Sequence, residues 1–219
     1  MKSILVLGLG RFGRHLAHKL QQLGNEVMVI DKDEALVEKY SNTFTDAQIG
    51  DCTDEAVIRS LGVNQFDVCF VTICDDFQSS LVTTSLVKKM GARHVVAKAK
   101  RDIQAEFLKK IGANEVIYPE REIAESVAMR YNSDNIFDYI ELTSEYSIYE
   151  IPILPEWAGK NILELNIRKE YRITIIAIKH KEHLQPMPGP DYEFRKSDHV
   201  VVLGKSDDIF RIAGKAIKS

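Results

Sequence analysis

Three glycines near the start of the chain have the spacing that phosphate binding requires. Gly8, Gly10 and Gly13 follow an apolar run from Ile4 to Leu7 and open an amphipathic stretch. In such a motif the first glycine permits a tight turn, the second lets the backbone approach a phosphate, and the third lets the helix pack closely on the strand. The helix N-terminus then offers free N–H groups and a partial positive charge to an anion. The spacing therefore predicts a phosphate-binding turn.

An acidic residue at the end of the next apolar run adds to this pattern. Asp31 stands eighteen residues after Gly13, where its carboxylate could accept hydrogen bonds from the two hydroxyls of a ribose. A glycine motif alone also occurs in purely structural turns. Together with Asp31, it favours an adenine nucleotide site.

Arg11 lies inside the glycine motif, at the start of the predicted helix. A positive charge is unfavourable there because it opposes the helix dipole, so its presence calls for an anion or a partner carboxylate. A guanidinium can neutralise phosphate charge that backbone N–H groups meet only in part. We favour the anion over an exposed arginine without a ligand, and the guanidinium suits either a polyphosphate or a mobile contact.

Several other residues are expected at the same edge of the sheet. Asp51 either borders the adenosine or caps the helix that starts near Thr53, and both interpretations stay open. Asp76 is interpreted as a helix cap rather than a ligand, and Lys98 is expected to point towards the phosphates. The full set of predicted cofactor-binding residues is Gly8, Gly10, Arg11, Phe12, Gly13, Asp31, Lys32, Asp51, Cys52, Cys74 and Lys98.

Alternating strands and helices must position these residues. From Ser3 to Tyr118, nearly continuous apolar runs alternate with amphipathic stretches, which is typical of a parallel sheet covered by helices on both faces. The fold class is therefore α/β, with a doubly wound, Rossmann-like parallel sheet whose ligands bind at the carboxyl ends of the strands. The predicted strands are Ile4–Leu7, Glu26–Ile30, Ala47–Gly50, Val68–Ile73, His94–Lys98 and Val116–Tyr118.

A different pattern begins after Tyr118. We predict a nucleotide-binding domain over residues 1–118, a crossover helix and linker over 119–134, and a small α+β domain over 135–219. Gln185–Pro190 is predicted to be a stiff loop. The predicted elements of the small domain are strands at Tyr139–Leu142, Ile148–Ile153, Thr174–Ile178 and His199–Leu203, and helices at Asn161–Arg168 and Asp207–Ile217.

The composition excludes several classes of protein. The 219 residues include 29 Lys and Arg against 32 Asp and Glu, a net charge of -3, which gives no bulk field for a nucleic acid or an anionic membrane. The apolar runs are far shorter than the ~20 residues that a membrane span needs. The three cysteines show no C-x-x-C spacing, which argues against a disulfide framework or a zinc site and favours a reducing cytoplasm.

No residue pattern for catalysis accompanies the nucleotide motif. A dehydrogenase needs a proton donor or acceptor beside the nicotinamide, and none of the six histidines has a recognisable catalytic setting. We therefore favour a nucleotide sensor that is not an enzyme. A small NAD-dependent oxidoreductase is the alternative, and a DNA-binding redox sensor would require a basic recognition helix that the sequence does not contain.

The chain also resembles a known family, the RCK (regulator of potassium conductance) proteins, and specifically the regulatory subunits of Ktr and Trk potassium uptake. The resemblance covers essentially the whole sequence. It is carried by Gly8–Gly13, Asp31, Gly50–Asp54 and Tyr118–Glu120, and in the second half by Glu145–Ile148, Asn166–Arg168 and Ile175–Lys179.

This resemblance implies a cytoplasmic subunit that assembles as a dimer or an octameric ring on the inner face of a membrane potassium transporter. It implies binding of ATP, ADP or NAD(H), with Arg11 near the terminal phosphate of ATP and Glu120 helping to hold a divalent cation near the nucleotides at a subunit interface. Some members of the family bind cyclic di-AMP between paired C-terminal subdomains. The matching region here contains Asn166, Ile167, Arg168, Ile175, His180 and Pro186.

Overall fold

The computed structural model describes residues 1–73, 76–131 and 138–216. These residues form two compact units, Met1–Glu120 (unit 1) and Arg121–Ser219 (unit 2). Cys74 lies outside the described residues, as do residues 132–134 of the predicted linker. The finer division of the chain into three segments stays a prediction.

Unit 1 is built around a six-stranded sheet in the order β3-β2-β1-β4-β5-β6, and every neighbouring pair is parallel. The predicted doubly wound sheet is confirmed. Its elements are β1 (Ser3–Leu7), α1 (Arg11–Gln22), β2 (Glu26–Asp31), α2 (Glu34–Tyr40), β3 (Asp46–Ile49), α3 (Glu55–Ser60), a 3-10 turn (Val63–Gln65), β4 (Val68–Val71), α4 (Phe77–Lys89), β5 (Val95–Lys98), α5 (Asp102–Lys110), β6 (Glu115–Ile117) and the start of α6 (Pro119–Tyr131).

The apolar character of β1 follows from burial on both of its faces. Alternate side chains of a strand point to opposite faces of the sheet. Leu5 and Leu7 join one core cluster, whereas Ile4 and Val6 join another. Because β1 separates two halves of the sheet that run in opposite order, the crevice for a ligand is expected at its carboxyl end, beside β4.

Unit 2 contains an antiparallel sheet in the order β10-β9-β11-β8-β7. Its core holds three wholly buried aromatic side chains, Trp157, Tyr149 and Phe194. The elements are β7 (Asp138–Glu141), β8 (Tyr146–Pro152), a 3-10 turn (Pro155–Trp157), α7 (Ile162–Leu165), α8 (Ile167–Tyr171), β9 (Ile173–His180), β10 (His183–Pro186), β11 (Asp198–Lys205) and α9 (Ser206–Ala216).

Two predictions for unit 2 are wrong in detail. The single helix predicted over Asn161–Arg168 is two short helices, because Asn166 between them has a left-handed backbone with φ 44°. The loop predicted at Gln185–Pro190 begins inside β10, which pairs with β9 and is exposed along its whole length. An exposed edge strand shows no apolar pattern, and it tolerates a proline that a central strand would exclude.

Within the described part of the chain, no helix is both long and apolar enough to cross a membrane.

Candidate functional site

The glycine turn connects β1 to α1 and leaves no room for larger residues at two of its positions. Gly8 has φ +101°, and a Cβ atom there would lie 3.2 Å from the Ile73 backbone nitrogen. At Gly13, a Cβ atom would lie 2.1 Å from the Gly8 carbonyl oxygen and 2.5 Å from Thr72 Oγ1. Gly8 thus allows the turn, and Gly13 allows α1 to pack against it.

Two side chains from neighbouring strands hold the turn in place. The backbone N–H of Leu9 donates a short hydrogen bond to Asp31 Oδ2. Thr72 Oγ1 lies 2.6 Å from the Gly8 carbonyl oxygen and 3.1 Å from that of Leu7. The other carboxylate oxygen of Asp31 accepts from the Asp33 backbone N–H at 2.9 Å. Hydrogen bonds within the protein therefore hold the turn in this conformation.

A cleft of about 440 Å³ opens at the carboxyl ends of β1, β2, β3 and β4. It contains many of the residues predicted to bind the cofactor. It also contains residues that no sequence motif marked, among them Thr72, Ser79 and Leu36. The lining residues are Gly8, Gly10, Asp31, Lys32, Asp33, Leu36, Gly50, Asp51, Cys52, Thr53, Thr72, Ile73, Asp76 and Ser79.

The carboxylate of Asp51 lies in this cleft and does not cap α3. Its Oδ1 accepts from the Thr53 backbone N–H at 2.9 Å and from the Thr53 hydroxyl at 2.7 Å. These hydrogen bonds lower the pKa of Asp51. The cap of α3 is Asp54, which accepts from the Ala56 backbone N–H at 2.8 Å, so the capping interpretation of Asp51 is wrong.

Asp76 is both a helix cap and part of the cleft lining. Its carboxylate accepts from the backbone N–H groups of Gln78 and Ser79 at 3.1 and 3.2 Å, which confirms the predicted cap of α4. It also lines the cleft. The position of Asp76 in the cleft could be predicted from the sequence, because the residue follows the carboxyl end of a parallel strand.

Cys52 lies in the cleft with a thiol that stays protonated. Burial, together with the negative charges of Asp31 and Asp51, raises its pKa to about 12. Since only a thiolate is a good nucleophile, Cys52 is not activated for covalent chemistry near neutral pH.

A second group of predicted residues gathers beside the turn and is not part of the cleft lining. Lys98 Nζ lies 2.6 Å from Glu120 Oε1 and 5.2 Å from the centre of the Phe12 ring. Only 7% of the Lys98 side chain is exposed. The hydrogen bond from Lys98 lowers the pKa of Glu120, so the carboxylate is ionised and already bound to a cation.

Arg11 is exposed as the first residue of α1, and the first turn of that helix contains no acidic residue. A carboxylate partner from the same turn, one alternative for this arginine, is therefore missing. Its position leaves the guanidinium accessible to an anion at the helix N-terminus.

The described residues do not form a metal site by themselves. Among them, no group of three or more His, Cys, Asp and Glu side chains could hold a metal ion. Glu120 contributes one carboxylate, and that carboxylate is paired with Lys98. The described residues of one chain therefore do not supply a full ligand set for the divalent cation that the family resemblance implies.

Unit 2 contains a separate cleft of about 370 Å³. Four of the residues considered for cyclic di-AMP line it, namely Asn166, Ile167, Arg168 and Ile175. His180 and Pro186 are not among its lining residues. Instead, His180 Nδ1 lies 2.7 Å from Asp198 Oδ1.

Comparison with known proteins covers both units. The TrkA-N domain family matches residues 4–119, and the TrkA-C domain family matches residues 147–214. The chain is 37% identical to the Ktr system potassium uptake protein C of Bacillus subtilis, over 99% of this chain and 98% of that protein. It is 34% identical to the Ktr system potassium uptake protein A of the same organism, over 99% of this chain and 97% of that protein.

Solved structures share the fold at lower identity. The RCK domain of GsuK has a TM-score of 0.69 at 20% identity, over 97% of this chain and 48% of that one. The GsuK channel bound to NAD has a TM-score of 0.69 at 20% identity, over 97% of this chain and 39% of that one. This chain therefore spans less than half the length of these solved chains.

Proposed function

Because the chain belongs to the family of TrkA-domain potassium uptake proteins, we propose that it is a regulatory subunit of a potassium uptake system. In this proposal a nucleotide binds to unit 1 and controls a potassium-transporting membrane partner. One observation carries the proposal, namely the match to the Ktr system potassium uptake protein C over nearly the full length of both chains.

The geometry of unit 1 supports an adenine nucleotide as the ligand. The phosphates would lie at the glycine turn and the N-terminus of α1, where unpaired N–H groups favour an anion. The ribose would lie at Asp31, whose carboxylate already bonds to the turn through Leu9. ATP, ADP and NAD(H) all share these groups, and a solved GsuK channel with the same fold has NAD bound.

If two nucleotides are to control a partner in opposite ways, they must differ in their relative affinities for two conformations of this chain. A ligand shifts an equilibrium only by the difference between its affinities for the two states. ATP and ADP differ by one phosphate, and Arg11 is an exposed cation inside the glycine motif, at the N-terminus of α1. Arg11 is therefore the residue through which the terminal phosphate would act.

We propose that the functional form is an oligomer on the cytoplasmic face of the membrane, either a dimer or an octameric ring. The relatives are named potassium uptake proteins, and a net charge of -3 gives the chain no electrostatic attraction of its own to anionic lipid. Attachment would therefore come through the transporter. Light scattering of the purified chain measures the number of subunits.

The central experiment measures nucleotide binding and potassium flux together. Calorimetry of the purified chain should give micromolar or tighter binding of ATP, ADP or NAD. Proteoliposomes that contain the membrane subunit should then show a potassium flux that this chain changes only when nucleotide is present. A flux that is the same with and without the chain would reject the regulatory role.

A small NAD-dependent oxidoreductase remains the alternative, because it would use the same turn and the same acidic residue. Cys52 in the cleft, with a pKa raised to about 12, does not supply the proton donor or acceptor that such a reaction needs near neutral pH. Absorbance at 340 nm during incubation with NADH separates the two functions. A monomer that oxidises NADH with multiple turnovers would favour the enzyme.

We propose cyclic di-AMP as a second ligand, and the lining of the cleft in unit 2 supports this proposal. Arg168, an exposed residue of its lining, would supply a cation for a phosphate, and the half-buried Ile175 would supply apolar surface for a base. Calorimetry with cyclic di-AMP tests this proposal. Arg168→Ala should weaken that binding and leave the affinity of unit 1 for ADP unchanged.

A further inference from the structure

We propose that Thr72 positions the phosphate-binding turn, because its hydroxyl holds the carbonyl group of the peptide between Gly8 and Leu9. This inference rests on the function proposed above and assigns a role in nucleotide binding to a residue outside the glycine motif. Thr72 lies directly after β4, is 5% exposed, and lines the cleft.

The hydroxyl proton of Thr72 has one favoured acceptor. The carbonyl oxygen of Leu7 already accepts the Thr72 backbone N–H at 2.9 Å, as part of the strand pairing. The carbonyl oxygen of Gly8 lies closer to the hydroxyl, at 2.6 Å against 3.1 Å for Leu7. Since a hydroxyl donates only once, its proton is assigned to Gly8.

The same peptide is held at its other end. The carbonyl of Gly8 and the N–H of Leu9 belong to one planar unit, and that N–H donates to Asp31 Oδ2. Asp31 ends β2 and Thr72 follows β4, the two strands that flank β1. The two clamps together set the orientation of the peptide plane.

That orientation matters for an anion. Gly8 has φ +101°, and a glycine can rotate its peptide into several other conformations. In the observed conformation, the Gly8 carbonyl oxygen lies against Gly13, where a Cβ atom would be only 2.1 Å from it. A rotated carbonyl could instead face the cleft, where its partial negative charge would repel a phosphate. Thr72 thus keeps the turn ready to bind.

The test compares Thr72→Val, which loses the hydroxyl at nearly constant volume, with Thr72→Ser, which keeps it. Thr84→Val is the matched control. Thr84 is also buried, and its hydroxyl has no hydrogen-bond partner within the part of the chain that the structure describes. The full-length variants are titrated with ADP by calorimetry and with adenosine by ligand-observed NMR, and circular dichroism checks their folding.

We expect Thr72→Val to bind ADP roughly two- to tenfold more weakly, because losing one neutral hydrogen bond changes an equilibrium by about that factor. Its affinity for adenosine should stay the same, because adenosine does not use the phosphate turn. Thr72→Ser and Thr84→Val should bind ADP like the unmodified chain.

Three results would overturn the inference. Thr72→Val could bind ADP as tightly as the unmodified chain, Thr72→Val could lose as much affinity for adenosine as for ADP, or Thr72→Ser could bind ADP as weakly as Thr72→Val. Each of these leaves the proposed function in place. If the unmodified chain binds neither ADP nor NAD, the proposed function itself fails, and the role of Thr72 fails with it.

Discussion

Two glycines of the same turn differ in the space around them, and this difference separates folding from binding. A methyl group at Gly13 would collide with the Gly8 carbonyl oxygen, whereas one at Gly10 would meet no atom within 4 Å. Gly10 also has φ -56°, which any residue can adopt. We expect Gly13→Ala to destabilise the protein by roughly 2–4 kcal/mol.

Gly10→Ala should leave the melting temperature nearly unchanged and still weaken ADP binding, because its methyl group would stand where the backbone meets the phosphate. Thermal melts and calorimetry on both variants measure the two effects. Normal ADP binding by Gly10→Ala would show that the phosphates lie elsewhere.

Arg11 is expected to distinguish ATP from ADP. Arg11→Ala should lower the ratio of ATP affinity to ADP affinity by a factor of about ten or more, since a hydrogen bond to a charged group contributes roughly 1.5–3 kcal/mol. Arg14→Ala is the matched control on the same helix, because that guanidinium contacts Tyr40, with a nitrogen 3.3 Å from its hydroxyl oxygen. Calorimetry with both nucleotides gives the ratio. A ratio that is unchanged in Arg11→Ala would remove Arg11 from the terminal phosphate.

At the level of strands and helices, the sequence predicted unit 1 better than unit 2. Strands buried on both faces are continuous apolar runs, and the glycine motif and Asp31 mark where two of them end. The short helices around Asn166 and the exposed strand β10 have no comparable signal, since a few residues cannot show a period. The role of Thr72 also escaped, because its contact with Gly8 joins residues 64 positions apart.

The sheet of unit 2 depends on one buried carboxylate. Asp198 is wholly buried, and it accepts from the Tyr192 hydroxyl at 2.9 Å and the Arg195 backbone N–H at 2.8 Å, with His180 Nδ1 also 2.7 Å away. These contacts connect β9, β11 and the loop before β11. We expect Asp198→Ala to destabilise unit 2 by roughly 1–3 kcal/mol, because it leaves these partly buried donors without their acceptor.

Trp157 makes that measurement specific to unit 2. It is the one tryptophan of the chain and is wholly buried in the core of that unit. Urea denaturation followed by its fluorescence should show a lower midpoint for Asp198→Ala. Asp191→Ala, at an exposed position on the same loop, provides the control. An equal urea midpoint for Asp191→Ala and Asp198→Ala would contradict the role of Asp198.

The same cluster predicts a loss of stability in alkali. Burial and the hydrogen bond to Asp198 raise the pKa of Tyr192 above its ordinary value of about 10. The folded state therefore favours the neutral phenol, so this contribution to stability is complete below about pH 10 and is lost as the pH rises through the raised pKa. Tyr192→Phe should remove that pH dependence. Urea midpoints between pH 8 and 11 measure it, and parallel curves for the two proteins would argue against the shifted tyrosine.

At the scale of the whole molecule, the proposed regulation requires ATP and ADP to produce different shapes of the same assembly. All the cleft residues belong to unit 1, so in the proposed regulation the nucleotide acts from this unit, through a rearrangement of subunits that the terminal phosphate stabilises. We expect small-angle X-ray scattering of the oligomer to give different curves with saturating ATP and saturating ADP, at a molecular mass that light scattering shows to be constant. Arg11→Ala should give one curve with both nucleotides. Identical curves for the unmodified chain, with both ligands bound, would mean that the nucleotide site does not control the shape of the assembly.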